Sequence, residues 1–202
     1  RSNAAGAILA NANLTGTMWA KADLTEADLL GAQLAKADFT GAILTNAILN
    51  GADLTGTTLR GATLSEALLQ QANLTGVDLT GSVMWYTNLT GAKLDNAKLH
   101  GVYLAGATLT DATAATADLS GATLAGASLI RTNLTGANLT TAYLANANLH
   151  KANLTGADLT SAEIAGTGRE PTDRTGANLT SATVPLANLA GVALTGANLT
   201  GT

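Results

Sequence analysis

The chain has 202 residues and a net charge of -4, with 10 Lys and Arg against 14 Asp and Glu. Hydrophobic residues make up 47% of the sequence but aromatic residues only 3%, so the apolar mass consists of Ala and Leu. Because Lys and Arg are few, the composition disfavours a direct nucleic-acid-binding surface. The chain has no Cys, which excludes disulfides, thiolate metal sites and a Cys nucleophile.

The hydropathy of the chain and its first ten residues bear on the compartment that we expect for the protein. No stretch reaches the roughly 18 consecutive apolar residues of a membrane span. The apolar stretch within the first ten residues is too short for a signal peptide. We therefore expect a cytoplasmic protein, with export left open. Residues 1 to 4 are set apart from the repeats, and we predict one domain over residues 5–202.

A repeat of five residues runs through the chain. The column that takes every fifth residue from Leu9 to Leu199 holds Leu at 31 of 39 positions, and the column two residues earlier holds Ala at 29 of 39. The exceptions in the Leu column are Trp19, Phe39, Met84, Ala114, Ile164, Arg169, Arg174 and Val184. We predict that both columns point inward, with Trp19 and Phe39 stacked in the first coils.

Glycine marks the turns of this repeat. Of 22 Gly, all but Gly168 lie in the column two residues after Leu, where Asn also recurs. Gly and Asn accept the positive φ that a type II turn requires at its third position. A chain that turns by about 90° in each repeat closes a square coil in about 20 residues, and the coils stack with parallel backbone pairing. The sequence thus predicts an all-β, four-sided parallel β-helix of about ten coils.

The repeat unit resembles a known family. Residues 12–16 (ANLTG) and 157–161 (ADLTS) read A(D/N)LXX, and this pattern is similar to the pentapeptide-repeat family over nearly the whole chain. The resemblance implies a right-handed quadrilateral β-helix with the central Leu or Phe and the preceding small residue inside. It implies little about function, because most members have none assigned. Some members bind DNA gyrase as DNA mimics, and a mimic acting on a topoisomerase is therefore the alternative function.

Charge does not favour the DNA-mimic alternative. Ten coils would span about 48 Å, and duplex DNA of that length carries about 28 negative charges. The chain has 14 acidic residues, partly neutralised by 10 basic ones. A further alternative, a surface of Thr columns that orders water, suffers from interruptions such as Arg60, Gln70 and His100. We predict a non-catalytic structural or protein-interaction scaffold.

No pattern of an active site stands out. His100 and His150 are 50 residues apart, and we expect them on opposite sides of the coil, where they cannot share a metal ion or a proton. The sequence has no phosphate-binding loop, zinc-protease motif or serine-hydrolase motif. We therefore expect a protein that is not an enzyme, with no catalytic residue, no cofactor and no metal.

Outward positions that are 20 residues apart should form ladders on the surface. Asp78, Lys98 and Asp118 should alternate in sign up one face, and Asn133 and Asn153 should stack in the same way. Each exposed ion pair contributes at most about 1 kcal/mol. We therefore expect these ladders to stabilise the register of the coils and to keep the protein soluble.

A group of apolar residues in outward or corner columns forms the candidate partner surface. Its members are Ile43, Ile48, Leu68, Val83, Trp85, Tyr86 and Tyr103. Three of the six aromatic residues of the chain are among them, which indicates a candidate site for a protein partner or a second copy of the chain. The alternative is that these residues only pack against neighbouring long side chains. The absence of a capping helix also predicts end-to-end association, hence a concentration-dependent dimer.

Residues 166–175 interrupt the repeat. Arg169 and Arg174 would place charges in the Leu column, and Pro171 would occupy a corner. We predict a protruding loop of two units at about 166–175, after which the repeat resumes at Ala177. The loop is either a tolerated insertion or a binding loop.

Overall fold

The computed structural model describes residues 2–164, which form a stack of coils held together by parallel β-bridges. Every bridge joins residues 20 apart, from Asn3 with Asp23 to Tyr143 with Glu163. Each repeat contributes one bridged residue followed by a two-residue turn, and this described part contains no helix and no strand longer than one residue. The bridges give the 20-residue coil that the sequence predicts, whereas the total of about ten coils stays a prediction.

The bridged residues divide the coil into four faces. Face A carries the bridged residues from 3 to 163, face B those from 8 to 148, face C those from 13 to 153 and face D those from 18 to 158, each in steps of 20. Two turn residues follow each bridged position and its inward neighbour, and we name each corner after the faces that it joins. Corner AB thus holds residues 5 and 6, 25 and 26, and so on to 145 and 146. Faces A and C lie on opposite sides of the coil.

The Leu and Ala columns fill the interior, as predicted. From Ala22 to Ile164, residues of these two columns expose at most 2% of their surface. Full burial of a Leu side chain contributes about 1.5–3 kcal/mol, so the core stabilises every coil. The rings of Trp19 and Phe39 stack with centroids 6.2 Å apart and planes 5° apart, which confirms the predicted stack. Met84 is also buried.

Three threonines replace Ala in the interior without leaving a hydroxyl unpaired. Thr57 donates its hydroxyl to the carbonyl oxygen of Leu34 at 2.8 Å, and Thr87 and Thr132 make the same bond to the Leu 23 residues earlier. A buried hydroxyl with a partner avoids the penalty of an unsatisfied polar group. The Ala column therefore accepts Thr where a carbonyl of the preceding coil is within reach.

The corners are type II turns. The amide of Ala27 donates to the carbonyl of Leu24 at 3.0 Å, a bond that recurs along the stack, and the third residue of each turn has φ between 56° and 68°. The predicted turn type is confirmed, but its dependence on Gly or Asn holds only in part. Of the left-handed residues, 16 are Gly, 4 are Asn and 12 are other types, including Lys21, Glu26 and Tyr86. A left-handed non-glycine costs about 1–2 kcal/mol, which the bonds between coils must offset.

The Asp or Asn of the repeat fixes the turn that follows it. Oδ1 of Asp23 accepts the backbone N–H of Thr25 at 3.0 Å and the hydroxyl of Thr25 at 2.7 Å. The same pair of bonds forms at Asp38, Asp53, Asn73, Asp78, Asn88, Asp118, Asn133, Asn153 and Asp158. Such an Asx turn satisfies a turn amide that the bridges leave free.

Several predictions concern residues outside the described range. The loop at 166–175 and the last coil both lie beyond residue 164, so they stay predictions. Within residues 2–164, no helix is long and apolar enough to cross a membrane.

Candidate interaction surface

The seven apolar residues singled out in the sequence lie on two neighbouring faces and the corner between them. Face A carries Ile43, Val83 and Tyr103, face B carries Ile48 and Leu68, and corner AB carries Trp85 and Tyr86. We call these seven residues the AB surface. The stacking of the coils thus brings together residues that are up to 60 positions apart in the sequence.

Aromatic side chains dominate the exposed part of the AB surface. Trp85 is 48% exposed, Tyr86 70% and Tyr103 45%. Tyr143, which lies two coils beyond Tyr103 on face A, is 39% exposed and was missed by the sequence reasoning. Its position 40 residues after Tyr103, in the same column, is the signal that could have found it. The four aliphatic members of the AB surface are half-buried.

A low shelf of small residues lies next to the exposed rings. A Cβ atom on Gly106 would lie 2.5 Å from Cε1 of Tyr86, so the ring of Tyr86 leans over Gly106 towards the next coil. Ala105 and Gly106, followed one coil later by Ala125 and Gly126, form the floor of this shelf. The side chains of these four residues are a methyl group or a hydrogen atom, so the neighbouring aromatic rings project beyond the surface of the corner.

The charged residues on faces A and B and in corner AB are all acidic within residues 2–164. Among the described residues, faces A and B and corner AB hold no Lys or Arg, and their acidic residues are Asp23, Glu26, Asp28, Glu66 and Glu163. The basic residues of the same range lie on faces C and D or in the other three corners: Lys21, Lys36, Arg60, Lys93, Lys98, Arg131 and Lys151. The structure therefore separates the cations from the aromatic cluster.

Glu26 and Glu66 differ from the other carboxylates of the surface. Both are exposed in corner AB, and within residues 2–164 the carboxylate of neither makes a hydrogen bond or an ion pair. The aspartates of the repeat, in contrast, accept hydrogen bonds in their own turns. Hydrogen bonds from the hydroxyl and the amide of Thr40 lower the pKa of Asp38, for example. Carboxylates without a bond of their own thus lie in the same corner as Trp85 and Tyr86, Glu66 one coil and Glu26 three coils before Tyr86.

Ion pairs form away from the AB surface. The guanidinium of Arg131 donates to both carboxylate oxygens of Asp111 at 2.6 Å, which lowers the pKa of Asp111. Arg60 lies 3.3 Å from Asp78. Burial raises the pKa of Asp78, but hydrogen bonds from Thr80 and the contact with Arg60 outweigh it, so the net shift is downward.

The predicted sign-alternating ladder is confirmed in its register but not in its ion pairs. Asp78, Lys98 and Asp118 are consecutive bridge partners on face D. Lys98 nevertheless lies within 4 Å of neither carboxylate, because Asp78 pairs with Arg60 and Asp118 accepts bonds from Ser120 in its own turn. The expectation that Lys98 contributes ion pairs was therefore wrong.

The predicted stack of amide side chains is confirmed in register. Asn133 and Asn153 are bridge partners on face C. The amide of Asn153 donates to the hydroxyl of Thr135 at 3.0 Å, which in turn donates to Asn133. Thr135 belongs to a column of corner CD that also contains Ala35 and Asp95. Threonine hydroxyls of this column donate their hydrogens within the coil, which disfavours a surface that orders water.

The two histidines lie in opposite corners of the coil, as predicted. His100 is in corner DA, where its Nδ1 lies 2.9 Å from Oγ of Ser120, and His150 is in corner BC. Over residues 2–164 no three metal-ligating side chains come together and no pocket opens in the surface. What this part of the chain offers is an open surface.

Comparison with protein families identifies the repeat. The family model described as "Pentapeptide repeats" matches in eight copies, at residues 7–46, 47–85, 72–111, 87–124, 103–142, 117–156, 138–167 and 175–202. A comparison with curated proteins found no match.

Two solved structures are similar to the chain. HetL from the cyanobacterium Nostoc sp. strain PCC 7120, involved in the regulation of heterocyst differentiation, is 33% identical with a TM-score of 0.85, over 96% of this chain and 85% of HetL. QnrB1, a plasmid-mediated fluoroquinolone resistance protein, is 15% identical with a TM-score of 0.51, over 92% of this chain and 90% of QnrB1. Both are right-handed quadrilateral β-helices, the fold predicted from the sequence.

Proposed function

Because this chain belongs to the pentapeptide-repeat family, we propose that it is a non-catalytic scaffold that binds another protein through the AB surface. The exposed aromatic cluster carries this proposal. Aromatic residues are only 3% of the chain, yet Trp85, Tyr86 and Tyr103 are exposed together. Aromatic residues are enriched at protein interfaces, since they bury a large area with few rotatable bonds.

The remaining surface supports the same proposal by contrast. On faces C and D the Asp, Asn and Thr side chains mostly bond to each other, and a polar group that is already paired gains little from a partner. On corner AB, rings and small residues face the solvent without such bonds. Burial of these rings against a partner would remove apolar area from water, which is the main favourable term in protein association.

The similarity to HetL favours a regulatory scaffold over a purely structural one. HetL is involved in the regulation of a differentiation process, and its identity of 33% extends over nearly all of this chain. We include a regulatory role, in the cytoplasm, in the proposal. Self-association of the chain, expected from the sequence, also stays a prediction, and light scattering over a concentration series tests it.

A DNA-mimic function is supported less well. The likeness to QnrB1, at 15% identity, concerns the fold alone. Residues 2–164 carry 12 acidic and 7 basic side chains. Eight coils of about 4.8 Å correspond to a length of duplex DNA that carries about 23 negative charges. Most of the aspartates also lie in turns where hydrogen bonds already engage them.

We also propose the loop at about 166–175 within a single domain of about ten coils. The family model matches residues 138–167 and then 175–202, so its repeats skip residues 168–174. This gap supports a departure from the coil at the position where Arg169 and Arg174 would otherwise face the core.

Affinity capture from the organism that encodes the chain tests the proposed function. The bait is the full chain, compared with a variant that carries Trp85→Ala and Tyr103→Ala. Met18→Ala with Leu30→Ala is the matched control, because Met18 is 74% and Leu30 45% exposed and both lie off the AB surface. We expect one protein that the parent and the control capture and the Trp85→Ala, Tyr103→Ala variant loses. Equal capture by all three proteins would contradict the proposal.

A further inference from the structure

The AB surface combines exposed rings with charge of one sign. Between Asp28 and Glu163 in the sequence, Glu66 is the single charged residue on faces A and B and in corner AB. Glu26 stands in the same corner column, two coils before Glu66. An apolar centre with unpaired anionic side chains at its edge attracts a partner of opposite charge.

We propose that the AB surface binds a cationic segment of a partner protein, with apolar side chains on the exposed rings and Lys or Arg side chains at Glu26 and Glu66. This inference rests on the proposed function, and it specifies the chemistry of the partner. The segment is a stretch in which basic and apolar residues alternate or share a surface. Its cations pair with carboxylates that make no bond within the described coils.

Glu66 and the ring of Tyr86 follow one another along corner AB. Glu66 lies one coil before Tyr86, and the ring leans over Gly106 one coil further on, so the ring is about 10 Å from the Glu66 backbone. Two residues about three positions apart in an extended segment span this distance. A basic side chain of the segment can therefore pair with Glu66 while another side chain of the same segment stacks on the ring of Tyr86.

Glu26 extends the anionic edge away from the rings. It lies two coils before Glu66, a separation of about 10 Å at the spacing of the coils, with Asn46 in between. Two basic residues three positions apart in an extended segment span about the same distance. The pair Glu26 and Glu66 thus matches a segment that runs along corner AB.

Other occupants fit the AB surface less well. A second copy placed face to face would bring further carboxylates against Glu26 and Glu66 and no cation, because faces A and B and corner AB hold none within residues 2–164. Anionic lipids and nucleic acids are repelled for the same reason. A small molecule would need a pocket, and none opens in the described coils.

Binding of labelled peptides to the full chain tests the inference. The probe is a fluorescein-labelled peptide with Arg at every third position and Leu between, with a peptide of Glu and Leu and a peptide of Arg and Ser in the same pattern as controls. Fluorescence anisotropy gives the three dissociation constants at low and at physiological salt. We expect the Arg and Leu peptide to bind most tightly, and its binding to weaken as salt is raised.

Matched variants assign the charge contribution. Glu26→Gln with Glu66→Gln changes the net charge by two and should weaken binding of the Arg and Leu peptide about fivefold, as expected for two exposed charge pairs. Gly76→Lys with Thr116→Lys produces the same change in net charge in corner CD, also two coils apart, and should leave the affinity almost unchanged. Trp85→Ala with Tyr103→Ala should abolish binding.

The outcomes separate this inference from the proposed function. Equal affinity for the Arg and Leu and the Glu and Leu peptides, or equal losses in the two charge variants, would overturn the cationic partner. If affinity capture nevertheless yields a partner that depends on Trp85 and Tyr103, the proposed function stands and only the charge preference fails. If neither peptides nor capture depend on the rings, both fail.

Discussion

Individual residues of corner AB determine the shape of the candidate surface. Tyr86 has a φ of 57°, a conformation more usual for Gly, and this places its ring over Gly106 of the next coil. The contact requires that residue 106 has no side chain. Tyr86 and Gly106 are successive residues of one column in corner AB. Their order therefore determines how the ring packs as well as how the chain turns.

Gly106→Ala tests this contact. The new methyl group would lie 2.5 Å from the Tyr86 ring, whereas at Gly126, which has a similar φ, nothing lies within 4 Å of an added Cβ. We expect Gly106→Ala to lower the free energy of unfolding by about 1 kcal/mol more than Gly126→Ala, since the ring must move. Chemical denaturation measures both. In a background of Tyr86→Ala the difference should vanish, and its persistence would show that the ring does not occupy this place.

Single residues were the hardest part of the structure to predict. The sequence identified seven members of the AB surface but not Tyr143, because a residue whose nearest aromatic neighbour in the column is 40 positions away does not appear as a cluster in the sequence. It also did not identify Glu26 and Glu66, since their significance lies in the absence of a bonding partner. Which groups are unpaired depends on side-chain positions, and a period of five does not specify these.

At the scale of the repeat unit, the Asx turn explains why Asp and Asn recur before Leu. Oδ1 of either residue accepts the amide and the hydroxyl of the Thr two positions later, as in Asp38 with Thr40 and Asn73 with Thr75. The bonds require an acceptor oxygen but no charge. Asp and Asn are therefore interchangeable in the turn, and they differ in their response to pH.

Acid should weaken the Asp turns but not the Asn turns. Hydrogen bonds from Thr40 and Thr160 lower the pKa values of Asp38 and Asp158 in the folded chain. A lowered folded-state pKa means stability that is present above the unfolded value of about 3.9 and lost as pH falls through the folded value. We expect Asp38→Asn with Asp158→Asn to show a shallower loss of stability below about pH 4.

Thermal unfolding from pH 7 to pH 2 measures this effect, with Asp38→Ala as the companion variant. Loss of both bonds should destabilise Asp38→Ala by about 1 kcal/mol at pH 7. This difference should narrow as the pH falls through the lowered pKa of Asp38, because the parent then loses the same stability. Identical acid profiles for the parent and the double Asn variant would contradict the assignment of these bonds.

The repeat unit was largely predictable, because its two main determinants are local. The inward Leu and Ala columns and the turn column follow from a strict period that never shifts from Leu9 to Ile164. The reliance on Gly and Asn at the corner was incomplete, since Lys21, Glu26 and 10 other residues that are neither Gly nor Asn adopt the same left-handed φ. Bonds between coils hold these residues in place, and the sequence of a single repeat does not reveal those bonds.

Removal of core volume should affect a whole coil. Leu99 is 1% exposed, and Leu99→Ala should lower the free energy of unfolding by about 3 kcal/mol through lost burial and a cavity. Leu30, which is 45% exposed, gives the matched control, and Leu30→Ala should change it by less than about 1 kcal/mol. Equal effects in denaturant titrations would show that the two leucines are not in such different environments.

For the whole molecule, the regular stack turns a one-dimensional repeat into a surface on which distant residues meet. Residues 20 apart become neighbours, so Ile43, Val83 and Tyr103 share one face although 60 positions separate the first from the last. Cations are placed on the other faces and corners of the described coils. The fold thus supplies a rigid support, and the outward columns of faces A and B carry the features that a partner would recognise.

The fold was predictable from the sequence because it depends on the inward columns, which are nearly uniform. The candidate site depends on outward columns, where each repeat differs from the next. Composition could show that aromatic residues were rare, and spacing could show that three of them were close. Neither could show that the rings are exposed or that unpaired carboxylates lie in the same corner.

Site-specific photo-crosslinking tests the central claim, that the AB surface contacts a partner protein, most directly. A benzophenone amino acid replaces Tyr103 on face A in one variant and Lys93 on the opposite face C in another, and both are irradiated in cells that naturally encode the chain. We expect a discrete crosslinked protein from position 103 and none from position 93. Crosslinks of equal strength from both positions, or from position 93 alone, would contradict it.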